Sequence, residues 1–213
     1  HLFTCPKFAD LREQFSWTEE LEQVPTAMKH HLLCPRSPWL DALRSHFYYL
    51  PDTTGDFITE PTDDSLQHLF TDGSLTHEGR GETKRAAWGL YNSNTALPIA
   101  SGWLAGLPQT IVRAELSAVI AALKWVLWWQ VPAHIWLDAL EVHRGLQKRL
   151  AGYVSRFSDR NADLWLKVEE LLRQGASCLV DSTWIPSHLD VYSCETPFEE
   201  WIAVNNGHAD ALA

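Results

Sequence analysis

Hydrophobic residues follow one pattern before residue 65 and another after it. From residue 66 onward, three apolar runs separated by polar or proline-containing turns predict three strands, at Leu66–Thr71, Arg85–Tyr91 and Ile99–Leu104. The next run, 112–129, has apolar side chains at helical spacing and predicts a long helix. The residues on its apolar face are Ala114, Ala118, Val119, Ala122, Leu123 and Val126.

The rest of the chain alternates between strand and helix patterns. In chain order, a strand, two helices, a strand and a helix are predicted at AHIWLD (133–138), ALEVHRGLQKRL (139–150), NADLWLKVEELLRQG (161–175), SCLVDSTWI (177–185) and NNGHADALA (205–213). Asn161 is the expected cap of the third helix, Gly175 lies just past its end, and the end of the sequence cuts the last helix short. This order predicts an α/β fold, in which helices flank one mixed five-stranded sheet.

Two further segments precede this domain, which spans residues 66–213. Residues 49–65 concentrate Pro, Gly, Asp and Thr without periodicity, which is typical of a linker. Residues 1–48 predict two short helices, near Phe8–Phe15 and Pro38–Tyr48. They form a small helical extension with little capacity for a core of its own.

Composition and charge narrow the class of protein. A hydrophobic fraction of 46% suits a globular chain, but the net charge of −10 does not predict nucleic-acid binding, since phosphate affinity depends on Lys and Arg. Four widely spaced cysteines without a secretory signal favour an intracellular protein, in the nucleus or the cytoplasm, without a disulfide framework. Polar residues and a proline interrupt the apolar segment 116–137, so no membrane span is expected.

Asp72 follows the first predicted strand in the sequence FTDGS. Asp-Gly between extended runs is the commonest short hairpin signal, so a turn is the simplest interpretation of this aspartate. Three other acids also have simple interpretations. Glu115, in the first turn of its helix, complements the positive N-terminus; Asp138 caps the helix that starts at Ala139; and Asp210 is a solvated acid on the last helix.

Considered together, the four acids favour a shared site. Asp72 and Asp138 each end a predicted strand, and open α/β sheets place their sites where strands end along one edge. Four converging carboxylates repel one another unless cations neutralise them. Because no Cys or His cluster accompanies them, ligation by oxygen alone favours Mg²⁺ or Mn²⁺ over zinc, and two such ions suit in-line displacement at a phosphodiester.

Six motifs in this order resemble a type 1 ribonuclease H domain over residues 66–213. They are FTDGS (70–74), RAEL (113–116), WLDALEV (136–142), NADLW (161–165), WIPSH (184–188) and NNGHADALA (205–213). The resemblance implies endonucleolytic hydrolysis of the RNA strand of an RNA–DNA hybrid with two Mg²⁺ ions, for which Mn²⁺ can substitute.

The resemblance also implies a role for each catalytic residue. Asp72 would bridge both metal ions, and Asp210 would help to hold the ion that activates the attacking water. Glu115 and Asp138 would hold the ion beside the leaving 3′ oxygen. His188 matches the mobile histidine of the family, to which proton transfer or product release is attributed.

Substrate contacts are implied less completely. By position, the substrate-binding residues would be Gly73, Ser74, Gln109, Thr110 and Arg113. The asparagines that often precede the Arg-x-Glu sequence are replaced by Ile and Val, and the stretch after Asp138 is too short for a basic protrusion. A local basic stripe is the expected phosphate-binding face, with a solvated helix face as the alternative. Its members are Arg144, Lys148, Arg149, Arg156 and Arg160.

An acidic segment, residues 189–204, is predicted as a long insertion between His188 and the last helix. It either gates the site or packs Trp201 and Phe198 on the surface. At the other end of the chain, His1 and Cys5 resemble the second half of a small zinc module that follows the reverse transcriptase of non-LTR retrotransposons. The expected partners are therefore an RNA–DNA hybrid and the reverse transcriptase portion of the same polyprotein.

Two alternatives to an active ribonuclease H remain. One is a non-catalytic connection domain of the same fold, against which four intact acids argue. The other is a different nuclease on this fold. Proofreading exonucleases favour Asp-x-Glu where this chain has Asp72-Gly73-Ser74, and integrase-type sites end in glutamate where it has Asp210.

Overall fold

The computed structural model describes residues 59–78, 83–104, 108–156 and 159–213. The predicted N-terminal helices, His1, Cys5 and residues 49–58 of the predicted linker lie outside the described residues. The final part of that linker contacts the domain, because Thr59 donates a hydrogen bond to the Pro98 carbonyl and accepts one from Trp125 Nε1 at 2.9 Å. The boundaries at residues 48 and 65 stay predictions.

The described elements follow the predicted order of strands and helices. They are β1 (Gln67–Glu78), β2 (Thr83–Asn92), β3 (Leu97–Trp103), α1 (Ile111–Trp129), β4 (Ala133–Leu137), α2 (Leu140–Leu150), α3 (Ala162–Arg173), β5 (Val180–Trp184) and α4 (Pro197–Leu212). The strands form one sheet in the order β3-β2-β1-β4-β5. The prediction of an α/β fold with a mixed five-stranded sheet flanked by helices is confirmed.

The sheet changes from antiparallel to parallel at β1. Strands β1, β2 and β3 pair antiparallel, whereas β1, β4 and β5 run parallel. The pairing of β4 with β1 ends at Leu137 opposite Thr71, while β1 continues to Glu78 beside β2 alone. From Asp72 onward, no strand within the described residues pairs with β1 on its β4 side.

The turn interpretation of Asp72 and Gly73 is wrong, because β1 is twice as long as its apolar run predicts. Asp72 lies in the middle of the strand and pairs with Gly89 of β2. The apolar run ends at Thr71 because the buried parallel pairing ends there. Beyond that point, the strand is held by its antiparallel ladder with β2.

Two hydrophobic cores lie on opposite faces of the sheet, because neighbouring side chains in a strand point to opposite faces. Leu69 belongs to the larger core with α1, α2 and α3, and Phe70 to the smaller core with α4. All six predicted apolar-face residues of α1 are buried in the larger core. Gly145 of α2 lies so close to the Trp165 ring of α3 that a Cβ would approach it to 2.4 Å.

Helix α4 begins eight residues before its predicted start. The segment 189–204 is therefore not one inserted loop, since its second half forms the first two turns of α4. Thr196 and Glu199 form a capping box, and Pro197 occupies the first turn, where its missing N–H is not needed. Trp201 packs edge-on against Phe70 with ring centroids 5.2 Å apart, so this half of the helix covers the smaller core.

The described part of the chain contains no helix with the length and continuous hydrophobicity needed to cross a membrane. Its two cysteines, Cys178 and Cys194, are free thiols.

Replacement of Thr196 by Ala tests the start of α4. The variant loses the side-chain oxygen that accepts from the Glu199 N–H, so we expect its unfolding free energy to fall by about 1 kcal/mol. Chemical denaturation followed by circular dichroism measures this change. Thr62→Ala, at an exposed position before β1, is the matched control and should unfold like the wild type. Equal stability of Thr196→Ala and the control would contradict the early start of the helix.

Candidate metal centre

Three carboxylates from three different elements meet at the end of β4. Asp72 comes from β1, Glu115 from α1, and Asp138 from the residue that follows β4. One oxygen of each lies within 4.8 Å of the others, which is close enough for a shared cation. The structure thus brings together three of the four acids that the sequence analysis placed in one site.

The end of β4 creates the opening in which the three acids meet. Side chains two positions apart in a strand point to the same face of the sheet. Asp72 and Asp138 therefore lie on the face that α4 covers, together with Phe70 and Trp136, which pack under this helix. Glu115 comes from α1 on the opposite face and reaches the aspartates where β4 no longer separates them. Gly73 allows this approach, because a Cβ at this position would lie 2.5 Å from the Glu115 nitrogen.

Glu115 lies deeper in its helix than the sequence indicates. Thr110 caps α1 and accepts a hydrogen bond from the Arg113 N–H, so Glu115 is the fifth helical residue and belongs to the second turn. The simple role of complementing the helix N-terminus is therefore wrong. The side chain is only 3% exposed, and its Oε2 has no hydrogen-bond partner among the described residues.

Asp138 does not cap α2 either. The cap position is Ala139, which has no side chain able to accept a hydrogen bond. The Asp138 carboxyl instead accepts a hydrogen bond from the buried side chain of Asn206 on α4. The Trp184 indole N–H donates to the Asp138 carbonyl at 2.8 Å and fixes the backbone at this point.

Burial and mutual repulsion make the acids difficult to ionise together. Burial, the Asp138 charge and a hydrogen bond with Asp210 raise the pKa of Asp72 to about 7. Burial and the charges of Asp72 and Asp138 raise the pKa of Glu115 to about 10. Burial also raises the pKa of Asp138 against the opposing effect of Asn206. A cation bound among these acids would oppose the shifts, because a nearby positive charge favours the ionised form of a carboxyl.

The fourth acid, Asp210, borders this cluster from α4. Its carboxyl hydrogen-bonds with that of Asp72, and its charge raises the pKa of both Asp72 and Asp138. Unlike the other three acids, Asp210 is exposed. It therefore lies on the solvent side of the cluster, where its position depends on how α4 packs against the sheet.

His188 and Asn206 also lie beside Asp138. His188 is exposed on the loop after β5, has a left-handed backbone at φ 52°, and lowers the pKa of Asp138 through its charge. Asn206 was missed by the sequence analysis. Its signal is its place one helical turn before Asp210, which puts both side chains on one face of α4.

The predicted substrate-binding residues fall into two groups. Arg113 is buried and forms two hydrogen bonds with Asp163 of α3, at 2.6 and 2.8 Å, and a longer one with Asn161. Asn161 occupies the N-cap position of α3, as predicted, but its side chain makes no capping hydrogen bond. Gln109 is buried and joins the Ala86 N–H to the Leu104 carbonyl. These two side chains have structural contacts, and their substrate contacts stay predictions.

The other three predicted substrate-binding residues also have defined places. Thr110 caps α1, Gly73 permits the contact with Glu115, and Ser74 donates to the Ala213 carbonyl at 2.5 Å. Ser74 shares a face of β1 with Asp72, so its hydroxyl lies on the α4 side of the site.

The basic stripe loses one of its expected members. Arg149 is 8% exposed, pairs with Glu169 at 3.2 Å, and lies over the Trp165 ring at 3.8 Å. It therefore joins α2 to α3. Four stripe residues are exposed and remain available to phosphate: Arg144, Lys148, Arg156 and Arg160.

The donor set fits a hard divalent cation. Each of the three clustered acids offers oxygen ligands only, and the buried Glu115 Oε2, which has no hydrogen-bond partner in the described part of the chain, is free to ligate a cation. No His or Cys among the described residues joins this cluster. The residues therefore suit oxygen-ligated ions better than zinc.

Comparisons with known proteins agree with the fold described above. A family model described as RNase H matches residues 64–213. The solution structure of the PFV RNase H domain is similar over 69% of this chain and 91% of its own, with a TM-score of 0.52 and 20% identity. The native protease-reverse transcriptase of prototype foamy virus is similar over 74% of this chain, with a TM-score of 0.51 and 18% identity. This chain spans only 22% of that protein. No curated protein sequence matches the chain.

The pH dependence of stability tests the repulsion in the cluster. A carboxyl whose folded pKa is raised destabilises the fold once pH rises above its unfolded pKa, because ionisation is easier in the unfolded chain. Without metal, Glu115→Gln should therefore be more stable than the wild type, by about 1–3 kcal/mol near neutral pH.

The difference between the variant and the wild type should grow from about pH 5 to about pH 10, because over this interval Glu115 would be ionised in the unfolded chain but still protonated in the folded one. Thermal melts in a chelator measure it. Glu170→Gln on the exposed surface of α3 is the control, and its difference from the wild type should not follow this trend. A constant difference for Glu115→Gln would show that Glu115 is not held in a repulsive, desolvated cluster.

Proposed function

This chain belongs to the RNase H family, and we propose that it hydrolyses the RNA strand of RNA–DNA hybrids endonucleolytically, with two Mg²⁺ ions. The observation that carries the proposal is the meeting of Asp72, Glu115 and Asp138 within 4.8 Å. A chain that had lost catalysis would gain stability by replacing one of these repelling acids. Their retention favours an active enzyme over a non-catalytic connection domain.

Each of the four acids has a task in this proposal. Asp72 would contribute to holding both ions, Glu115 and Asp138 would hold one of them, and Asp210, on the solvent side, would help to hold the other. When bound, the ions neutralise charge at the scissile phosphate and promote deprotonation of water. Mg²⁺ is the preferred ion because it combines few carboxylates with water and phosphate oxygens, and Mn²⁺ can replace it.

Two further residues near the cluster have roles in this proposal: Asn206 orients a ligand, and His188 transfers protons or assists product release. Asn206 donates to the Asp138 carboxyl and so fixes the orientation of this ligand. His188 is exposed beside Asp138, where its imidazole can exchange protons at the leaving 3′ oxygen or assist product release. Because it is on a loop at the surface, it can move without disturbing the core.

We further propose that the domain acts beside a reverse transcriptase in a retroelement polyprotein. Similarity to part of the foamy virus protease-reverse transcriptase supports such a neighbour. The His1 and Cys5 spacing supports a non-LTR retrotransposon in particular, with zinc ligated by these two and two preceding residues.

Cleavage of labelled substrates tests the activity. We expect the protein with Mg²⁺ to cut the RNA of an end-labelled hybrid and to leave duplex DNA and duplex RNA intact. Asp72→Asn, which keeps the shape but removes the charge, should lower the rate at least about a hundredfold. Ca²⁺ should occupy the site without supporting turnover. Cleavage of duplex DNA would favour another nuclease of this fold, and no cleavage with either Mg²⁺ or Mn²⁺ would favour a connection domain.

Salt dependence tests the phosphate-binding face. The double variant Arg144→Ala, Lys148→Ala removes two exposed cations from α2. It should bind hybrid more weakly, and the slope of log affinity against log salt should fall by about 1–2. Arg173→Ala is the control, because Arg173 pairs with Glu170 in the last turn of α3. An equal loss in both variants would show that α2 has no special role in binding.

A further inference from the structure

The C-terminal end of α4 lies directly on the backbone of β2 at Gly89. A Cβ built on Gly89 would be 2.5 Å from the Ala209 carbonyl oxygen and 2.8 Å from the Leu212 Cβ. Real Cβ atoms do not approach backbone oxygens this closely, so any larger residue at position 89 must displace the helix or the strand. The absence of a side chain at Gly89 therefore sets the distance between α4 and the sheet.

This contact lies next to the candidate metal centre. Gly89 is the cross-strand partner of Asp72. Ala209, whose carbonyl lies over Gly89, immediately precedes Asp210, and the carboxyls of Asp72 and Asp210 hydrogen-bond with each other. The same contact that seats the helix on β2 therefore sets the spacing between these two acids.

The position of Asp210 depends on the contact between α4 and Gly89 more than the positions of the other acids do. Asp72 is part of β1, Glu115 is buried in the larger core with α1, and Asp138 is held by Asn206 and Trp184. Asp210 is exposed, so little side-chain packing restrains it. A second contact holds the same end of α4, since the Ser74 hydroxyl donates to the Ala213 carbonyl at 2.5 Å.

We propose that Gly89 is a positioning residue for Asp210: by admitting the α4 backbone to the surface of β2, it completes the cation site on the solvent side of the clustered acids. The inference rests on the proposed function, because that proposal makes this a cation site, but it concerns the binding of ions and not the cleavage of a substrate. Displacement of α4 by a Cβ at position 89 would move Asp210 away from Asp72. The cluster of Asp72, Glu115 and Asp138 would remain.

Gly89→Ala and Gly207→Ala form a matched pair for the test. Both add one methyl group, but a Cβ at Gly207, on the exposed side of α4, meets nothing within 4 Å. Calorimetric titration with Mg²⁺ alone, and with Mn²⁺ alone, measures ion affinity without substrate. We expect Gly89→Ala to weaken the Asp210-dependent binding about tenfold, and Gly207→Ala to bind like the wild type.

A double-mutant cycle separates positioning of Asp210 from general loss of stability. If Gly89 acts through Asp210, adding Gly89→Ala to Asp210→Asn should weaken ion binding no further, because the affected ligand is already gone. In addition, Asp210→Glu, whose side chain is one methylene longer, should restore part of the affinity of Gly89→Ala. Equal losses in the presence and absence of Asp210 would overturn the proposal, as would wild-type binding by Gly89→Ala.

Circular dichroism establishes whether Gly89→Ala is folded at the temperature of titration. If it is not, Ser74→Ala carries the test, because it releases the same end of α4 without adding volume. Weaker binding that disappears in the Asp210→Asn background supports the proposal, and unchanged binding overturns it. These outcomes are independent of cleavage: a chain that binds ions as expected but cuts no hybrid contradicts the proposed function and leaves the role of Gly89 intact.

Discussion

Three carboxylates lie within 4.8 Å of one another where β4 ends, and two of them are almost fully removed from water. Their repulsion and desolvation oppose folding whenever no cation is present, so the surrounding elements must hold them in place. The central strand β1, the buried helix α1 and the end of β4 do so, because each belongs to the larger core. The clustered acids thus lower the stability of the fold locally, and the surrounding rigid elements hold them in position.

Backbone contacts, more than side-chain packing, set the spacing of the acids. Gly73 admits the α1 backbone to one face of β1, and Gly89 admits the α4 backbone to the other side of the sheet. A single added methyl group at either place would collide with main-chain atoms that cannot rotate away. The two glycines therefore determine how closely the helices that carry Glu115 and Asp210 approach Asp72.

Polar residues around the site are largely engaged in holding the structure. Arg113 joins α1 to α3 through Asp163, and Gln109 bridges backbone groups of the sheet and its neighbouring loop. In the proposed function, contacts with a nucleic acid therefore fall to exposed groups, of which Arg144 and Lys148 on α2 are examples.

The sequence by itself determined the order of the elements and the identity of the acids. The apolar spacing of α1 and the run before Asp138 are local signals, and local periodicity is what a sequence displays directly. The predicted end of β1 and the predicted start of α4 were wrong, because both bounds depend on contacts between residues distant in the chain. These contacts are the ladder of β1 with β2 and the packing of Trp201 on Phe70. Only the tertiary structure decided that Asn206 orients Asp138, that Arg149 is buried, and that Gly89 seats α4. The spacing of Asn206 from Asp210 is visible in the chain, but the contacts of all three residues depend on distances between elements, which are fixed by packing in three dimensions.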